Sequence, residues 1–124
     1  MSQLRFRRIV LLDDHKGSRF VTRYLLVLLG HDCKAVESTE AALTAIDTFK
    51  PDLIIYEWYA RCDVRLGLSV RLRARAAAYR AVPAVIILSA LDEPAGFREH
   101  EAIDAYLTKP IGPSELEAAL RACA

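Results

Sequence analysis

The sequence predicts a single α/β domain built on a five-stranded parallel sheet with helices on both faces. Three observations predict this fold class. Short aliphatic runs alternate with segments of helical periodicity along the 124 residues. Two of these runs, LIIY and AVIIL, are apolar throughout, as expected for parallel strands that are covered on both faces. Polar residues follow several runs directly, which is typical of the sheet edge where such folds bind ligands.

Ten segments are predicted, and the residues at their ends help to define them. Gly30 ends the first helix, because glycine readily adopts the left-handed conformation found at helix ends. Ser38 is the predicted N-cap of the second helix, and Pro113 begins the last helix. Pro94 and Gly96 shorten the fourth helix. In chain order the segments are strand 9–12, helix 18–30, strand 33–36, helix 38–49, strand 51–57, helix 67–81, strand 83–88, helix 95–102, strand 103–107 and helix 113–122.

Composition bounds the class of protein. With 53% apolar residues, the chain is long enough to bury a substantial core as one domain spanning residues 1–124. Lys and Arg total 17 against 16 for Asp and Glu, so no strong net charge favours nucleic acid or a membrane as a partner. Six arginines fall within 61–80, but without a groove-reading motif they predict a solvated helix face.

The cysteines and the hydrophobic runs predict the cellular compartment of the protein. Cys33, Cys62 and Cys123 are far apart and form no CxxC pair, which argues against a disulfide framework or a zinc site. No run is long enough for a signal-peptide core or a membrane span. We therefore expect a cytoplasmic protein.

Polar residues at the strand ends predict the site. They are Asp13 and Asp14 after the first strand, Glu57 at the end of the third, Ser89 after the fourth, and Thr108 and Lys109 after the fifth. If the strand order is 2-1-3-4-5, the first and third strands flank the topological switch point, so the three carboxylates converge there. Carboxylates this close would repel one another, and a divalent cation that prefers oxygen ligands, Mg²⁺ above all, would relieve that repulsion.

Four motifs together resemble the receiver domain of bacterial two-component response regulators, over essentially the full length of the chain. They are IVLLDDH, PDLIIYE, VPAVIILSA and AYLTKP. The resemblance implies a flavodoxin-like fold in which position 57, at the end of the third strand, is the phosphoryl acceptor. It also implies weak Mg²⁺ binding by Asp13, Asp14, Glu57 and Tyr59, phosphoryl contacts from Ser89 and Lys109, and reorientation of Tyr106 together with the hydroxyl of Ser89.

Glu57 departs from the family pattern, which has Asp at the acceptor position. One additional methylene moves the carboxylate by about 1 Å, which is enough to lower the rate of phosphoryl transfer by a large factor. Asp52 lies at the opposite end of the strand, roughly 15 Å away, and nothing fixes Asp63 in the following loop, so neither is a convincing substitute. Two interpretations of Glu57 stay open: a built-in partial mimic of a phosphoryl group, or an acid that pairs with Lys109 in an inactive site.

Residues around the site carry further expectations. Trp58 is predicted to lie beside the site and to restrict access to it. Tyr106 is either a rotameric switch or a fixed core aromatic. His15 follows the acid pair, and a solvent-exposed place in the loop or first helical turn is favoured over a role as a metal ligand or general base.

The leading hypothesis is an atypical receiver that acts as a phosphorylation-independent protein-interaction module, with neither an output domain nor enzymatic activity. The rival hypothesis is a working Mg²⁺-dependent phosphoryl-accepting switch. An unrelated enzyme of similar fold is disfavoured, since the first loop lacks phosphate-cradling glycines. The resemblance implies a signalling protein as partner, either a histidine kinase or a downstream target. It also implies a homodimer through the fourth helix, the fifth strand and the last helix.

Overall fold

The computed structural model describes residues 7–58, 67–79 and 83–123, apart from the side chain of His100. Within these ranges, five strands alternate with five helices, as predicted. They are β1 (Arg8–Leu12), α1 (Lys16–Leu28), β2 (Asp32–Val36), α2 (Thr39–Phe49), β3 (Leu53–Glu57), α3 (Leu68–Ala77), β4 (Ala84–Ser89), α4 (Phe97–Glu101), β5 (Ala105–Thr108) and α5 (Pro113–Ala122). Among the described residues, no helix is both long and apolar enough to cross a membrane.

The sheet has the predicted order β2-β1-β3-β4-β5, and every neighbouring pair is parallel. The register aligns Leu12 with Tyr56, and Glu57 with Leu88. Because all five strands run the same way, their carboxyl ends meet at one edge of the sheet. The residues that follow β1, β3, β4 and β5 are therefore brought to a common edge.

The β1 sequence explains how two cores form on opposite faces of the sheet. Successive side chains of a strand point to opposite faces. Ile9 and Leu11 belong to a core cluster that includes Leu26 of α1 and Leu116 of α5. Val10 and Leu12 belong to the other cluster, which α2, α3 and α4 cover. Four consecutive apolar residues are all fully buried, as the unbroken aliphatic pattern predicts.

Three predicted helix ends are confirmed. The Ser38 side chain accepts a hydrogen bond from the amide of Ala41 at 3.1 Å, so it caps α2. Gly30 has a φ of 94°, and the amides of Gly30 and His31 donate to carbonyls in the last turn of α1. Pro113 is the first residue of α5. Each signal acts locally, which is why the sequence alone located it.

Other boundaries differ from the prediction for local reasons. α1 begins at Lys16, two residues before the predicted start, because the His15 ring accepts a hydrogen bond from the amide of Ser18 at 3.2 Å. β5 begins at Ala105 and not at Ile103, because Ala102 ends α4 in a left-handed conformation with a φ of 55°. α3 ends at Ala77, four residues before the predicted end, with Ala78 as its C-cap. Residues 80–81 of the predicted helix lie outside the described residues.

Candidate functional site

The acid pair that follows β1 is held where α1 begins. Asp13 is fully buried, and its carboxylate accepts a hydrogen bond from the amide of His15 at 2.9 Å. The His15 side chain is exposed and caps α1, which agrees with the solvent-exposed first-turn place predicted for it. Asp14 is exposed beside the cleft. Of the two acids, one is therefore fixed by the backbone and the other faces solvent.

An ion pair joins the ends of β3 and β5. The Glu57 carboxylate pairs with the Lys109 ammonium, and their side chains are 14% and 25% exposed. The same ammonium donates a hydrogen bond to the hydroxyl of Ser18 at 2.7 Å. Ser18 is a site residue that the sequence did not reveal, because a serine in the first turn of a helix carries no distinguishing pattern. The contact spans 91 positions along the chain and forms only once the sheet is assembled.

The three predicted carboxylates come together. Asp13, Asp14 and Glu57 each place one oxygen within 4.8 Å of the others. Burial, and to a lesser degree the neighbouring Asp13, raise the pKa of Glu57, whereas the bond to Lys109 lowers it. The second oxygen of Asp13 is buried and accepts no hydrogen bond from a described donor. Three clustered carboxylate oxygens, together with a buried Asp13 oxygen that lacks a hydrogen-bond partner among the described residues, fit a divalent cation. Tyr59, the fourth predicted metal residue, lies outside the described residues, as does Asp63.

The side chains of Ser89 and Tyr106 both form hydrogen bonds with the loop that joins β4 to α4. Ser89 is fully buried, and its hydroxyl accepts a hydrogen bond from the amide of Leu91 at 3.1 Å. The Tyr106 hydroxyl donates to the carbonyl of Leu91 at 2.8 Å. Burial raises the pKa of Tyr106, and a hydrogen bond with Ser89 partly offsets that effect. Both side chains thus bind Leu91, and the Tyr106 ring lies inside the protein.

Trp58 lies beside the acidic cleft, as predicted. It lines a cleft of about 580 Å³ together with Glu57, Lys109 and Ala90. Its side chain is only 9% exposed, because the ring packs against Phe97 at 4.8 Å between centroids. Phe97 in turn meets the edge of Tyr106 at 5.6 Å. This aromatic row connects the floor of the cleft with α4 and β5. Residues 59–66, which follow Trp58, lie outside the described residues.

Curated proteins similar to the chain are regulatory proteins. No model of a known protein family matches it. The phosphate regulon transcriptional regulatory protein PhoB of Pseudomonas aeruginosa is 30% identical over 117 residues, which are 94% of this chain and 51% of that protein. The sensory/regulatory protein RpfC of Xanthomonas campestris pv. campestris is 28% identical over 93% of this chain and 16% of its own length. The chain therefore spans about half, or less, of these relatives.

Solved receiver domains share the fold along nearly the whole chain. A CheY-like receiver domain from Methylobacillus flagellatus has a TM-score of 0.82 at 24% identity, covering 97% of this chain and all of that one. The pseudo-receiver domain of the CikA protein scores 0.70 at 24% identity, with 95% and 98% covered. The receiver domain of the Francisella response regulator 1452 is 27% identical, with 93% of each chain covered and a TM-score of 0.74. Along nearly its whole length, the chain therefore has the fold of the response-regulator receiver domains and is similar to them in sequence.

Proposed function

We propose that this receiver domain acts in two-component signalling as a protein-interaction module that does not depend on phosphorylation. The observation that carries the proposal is the ion pair between Glu57 and Lys109. The glutamate occupies the position at the end of β3 where the family has its acceptor Asp, and its carboxylate is already paired with the lysine expected to contact a phosphoryl group. The partner is a signalling protein, either a histidine kinase or a downstream target.

The contacts of Ser89 and Tyr106 support this proposal. The family resemblance assigns Ser89 to a phosphoryl oxygen and makes Tyr106 move with it. Here both side chains bind Leu91 within the same chain. Lys109, Ser89 and Tyr106 each have an internal hydrogen-bond partner, so we expect the loop after β4 to keep this arrangement without a phosphoryl group. A partner would then recognise a constant surface.

Amide spectra of the ¹⁵N-labelled domain test the proposal. With Mg²⁺ present, adding acetyl phosphate should leave the resonances of 89–92 and 105–109 where they were. Glu57→Gln should move the Lys109 and Ser18 resonances, because it removes the charge that holds the ammonium. A shift of the segment 89–92 when acetyl phosphate is added to the unmodified chain would contradict the proposal.

The acid cluster favours a second function, a Mg²⁺-dependent phosphoryl-accepting switch. Asp13, Asp14 and Glu57 would hold the cation, which would neutralise charge on the transferred group. Glu57 would have to act as the nucleophile from a longer side chain. The ion pair with Lys109 argues against this role as nucleophile. A carboxylate that is paired with an ammonium group and carries an additional methylene is poorly placed for in-line attack.

Weak binding of Mg²⁺ or Mn²⁺ is expected under either function, and Trp58 should report it. Its ring lines the same cleft as Glu57, so Mn²⁺ in particular should quench its fluorescence with a saturable dependence on metal concentration. Asp13→Ala should weaken that response at least tenfold, since it removes the buried ligand oxygen. Fluorescence that stays unchanged up to high metal concentration in the unmodified chain would show that the cluster does not hold a cation.

A further inference from the structure

Helix α1 exposes a continuous apolar face. Its five exposed large apolar side chains are Phe20 (71%), Val21 (56%), Tyr24 (57%), Val27 (44%) and Leu28 (65%). At about 100° per residue they occupy a sector about 120° wide with Tyr24 at its centre. The rings of Phe20 and Tyr24 lie nearly parallel, 6.4 Å apart. A contiguous patch of this kind marks an interaction site more often than scattered exposed residues do.

The five side chains of this face are uncharged, and the exposed Lys16 and Arg23 flank it at one edge. Arg19 donates a hydrogen bond to the carbonyl of Asp13 at 2.8 Å, and Arg23 donates to that of Cys33 at 3.4 Å. Thr22 and Leu26 are buried toward the sheet. A partner that relied on charge would find no opposite charge on the exposed face. An uncharged apolar surface is, however, suited to contact a copy of itself.

A groove extends this face toward α5. It encloses about 600 Å³ and is lined by largely apolar residues, among them Val21 and Leu25 of α1 and Ile111 and Leu116 near α5. Val21 belongs to both the face and the groove. The two features therefore form one surface into which side chains of an opposing helix can pack.

We propose that a second copy of this chain covers the α1 face in an antiparallel, two-fold symmetric dimer. In that geometry Tyr24 meets Tyr24 of the partner subunit at the axis, and Phe20 meets Leu28 of the partner subunit. Helix dipoles favour the antiparallel direction. The first turn of α1 has no acidic residue and its last turn no basic one. Antiparallel pairing brings Lys16 at one N-terminus toward the negative end of the other helix.

The area is sufficient for a specific dimer. Aromatic side chains bury about 150–250 Å² each in interfaces, so the five exposed residues supply roughly 500 Å² per subunit at their present exposure. Two such faces bury about 1,000 Å², the lower bound for a specific interface, and the groove adds to it. An interface at this lower bound is typical of a weak complex, so we expect a dissociation constant in the micromolar range or above.

The dimer surface expected from the family resemblance exposes fewer large apolar side chains than the α1 face does. On the surface formed by α4, β5 and α5 with the loop before α4, Phe97 and Tyr106 are buried. Among the described residues of that surface, Leu91 is the large apolar side chain that is substantially exposed, at 42%. Leu91 is therefore a matched control position for a test of the α1 dimer, which does not depend on the proposed function.

Sedimentation equilibrium from about 1 to 200 µM protein brackets the expected affinity. The unmodified chain should shift from monomer to dimer across this range. Tyr24→Glu and Tyr24→Lys should each raise the dissociation constant at least tenfold, because like charges then meet at the axis. An equimolar mixture of the two variants should dimerise again, since opposite charges meet there. Leu91→Glu should leave the dissociation constant unchanged.

Three results would overturn the α1 dimer. They are a chain that stays monomeric throughout, a dimer that Leu91→Glu disrupts and Tyr24→Glu does not, and two monomeric Tyr24 variants that fail to associate when mixed. Circular dichroism checks that each variant is folded, as expected at a position that is more than half exposed. Should either Tyr24 variant unfold, Leu28→Glu at the 65% exposed edge of the face replaces it, with the same expected loss of dimer.

Discussion

Lys109→Ala is expected to lower the free energy of unfolding by about 2 kcal/mol at pH 7 in metal-free buffer. The substitution leaves the partly buried Glu57 carboxylate facing Asp13 and Asp14 without its cation. Loss of one partner from a buried ion pair costs more than the pair contributes, because the remaining charge stays desolvated. Urea unfolding of the two proteins measures the difference.

The pH dependence of that loss has a definite sign. Burial already raises the pKa of Glu57 above its ordinary value of 4.5, and Lys109 lowers it, so removing Lys109 raises it further. When the pKa of a carboxyl is higher in the folded than in the unfolded state, the protein becomes more stable as the pH falls and the carboxyl becomes neutral. The loss should therefore shrink markedly between pH 7 and pH 4.5. Lys34→Ala, at an exposed lysine, is the control and should change stability by less than about 0.5 kcal/mol.

An equal loss for Lys109→Ala at both pH values would show that Lys109 does not neutralise this cluster.

Glu57→Asp is expected to accept a phosphoryl group, whereas we expect the unmodified chain to accept none. The shorter side chain restores the family's acceptor in front of Asp13, Asp14 and Lys109. With Mg²⁺ and acetyl phosphate, the carboxylate introduced at position 57 attacks phosphorus. A new O–P bond forms, the bond to the acetate oxygen breaks, and acetate leaves. Intact-mass measurement should then show the gain of one phosphoryl group.

Two controls make the Glu57→Asp result specific. Chelation of Mg²⁺ should abolish the gain, and Glu57→Gln should show none under any condition. If Glu57→Asp also fails to gain mass, the obstruction lies in the residues around the acceptor. Glu57→Asp combined with Trp58→Ala then separates the ring from the following loop. Acceptance by the double variant would identify Trp58, which lines the cleft, as the obstruction.

The fold was predictable because its signals are local or periodic. Uninterrupted aliphatic runs identified β3 and β4, and Ser38, Gly30 and Pro113 identified helix ends. The convergence of Asp13, Asp14 and Glu57 followed from topology, since parallel strands end at one edge. The start of β5 was misplaced because the left-handed turn at Ala102, a residue without a turn signature, comes before it.

Contacts that depend on the assembled fold were not predictable. Ser18 reaches Lys109 only when α1 packs beside β5, and nothing in its neighbourhood distinguishes it. The Ser89 hydroxyl accepts a hydrogen bond from the Leu91 amide because the path of the loop brings that amide within reach. In α1, apolar residues surround the helix from Phe20 to Leu29, so periodicity alone does not tell which of them the core covers. The exposed face became visible only with the sheet in place.

The proposal that Glu57 frees this receiver from phosphorylation is tested most directly on the unmodified chain. The measurement is its intact mass after prolonged incubation with Mg²⁺ and acetyl phosphate, followed by peptide mapping under conditions that preserve acyl phosphates. The expected result is an unchanged mass. A gain of one phosphoryl group that maps to Glu57 would contradict the account and identify the chain as a phosphoryl-accepting switch.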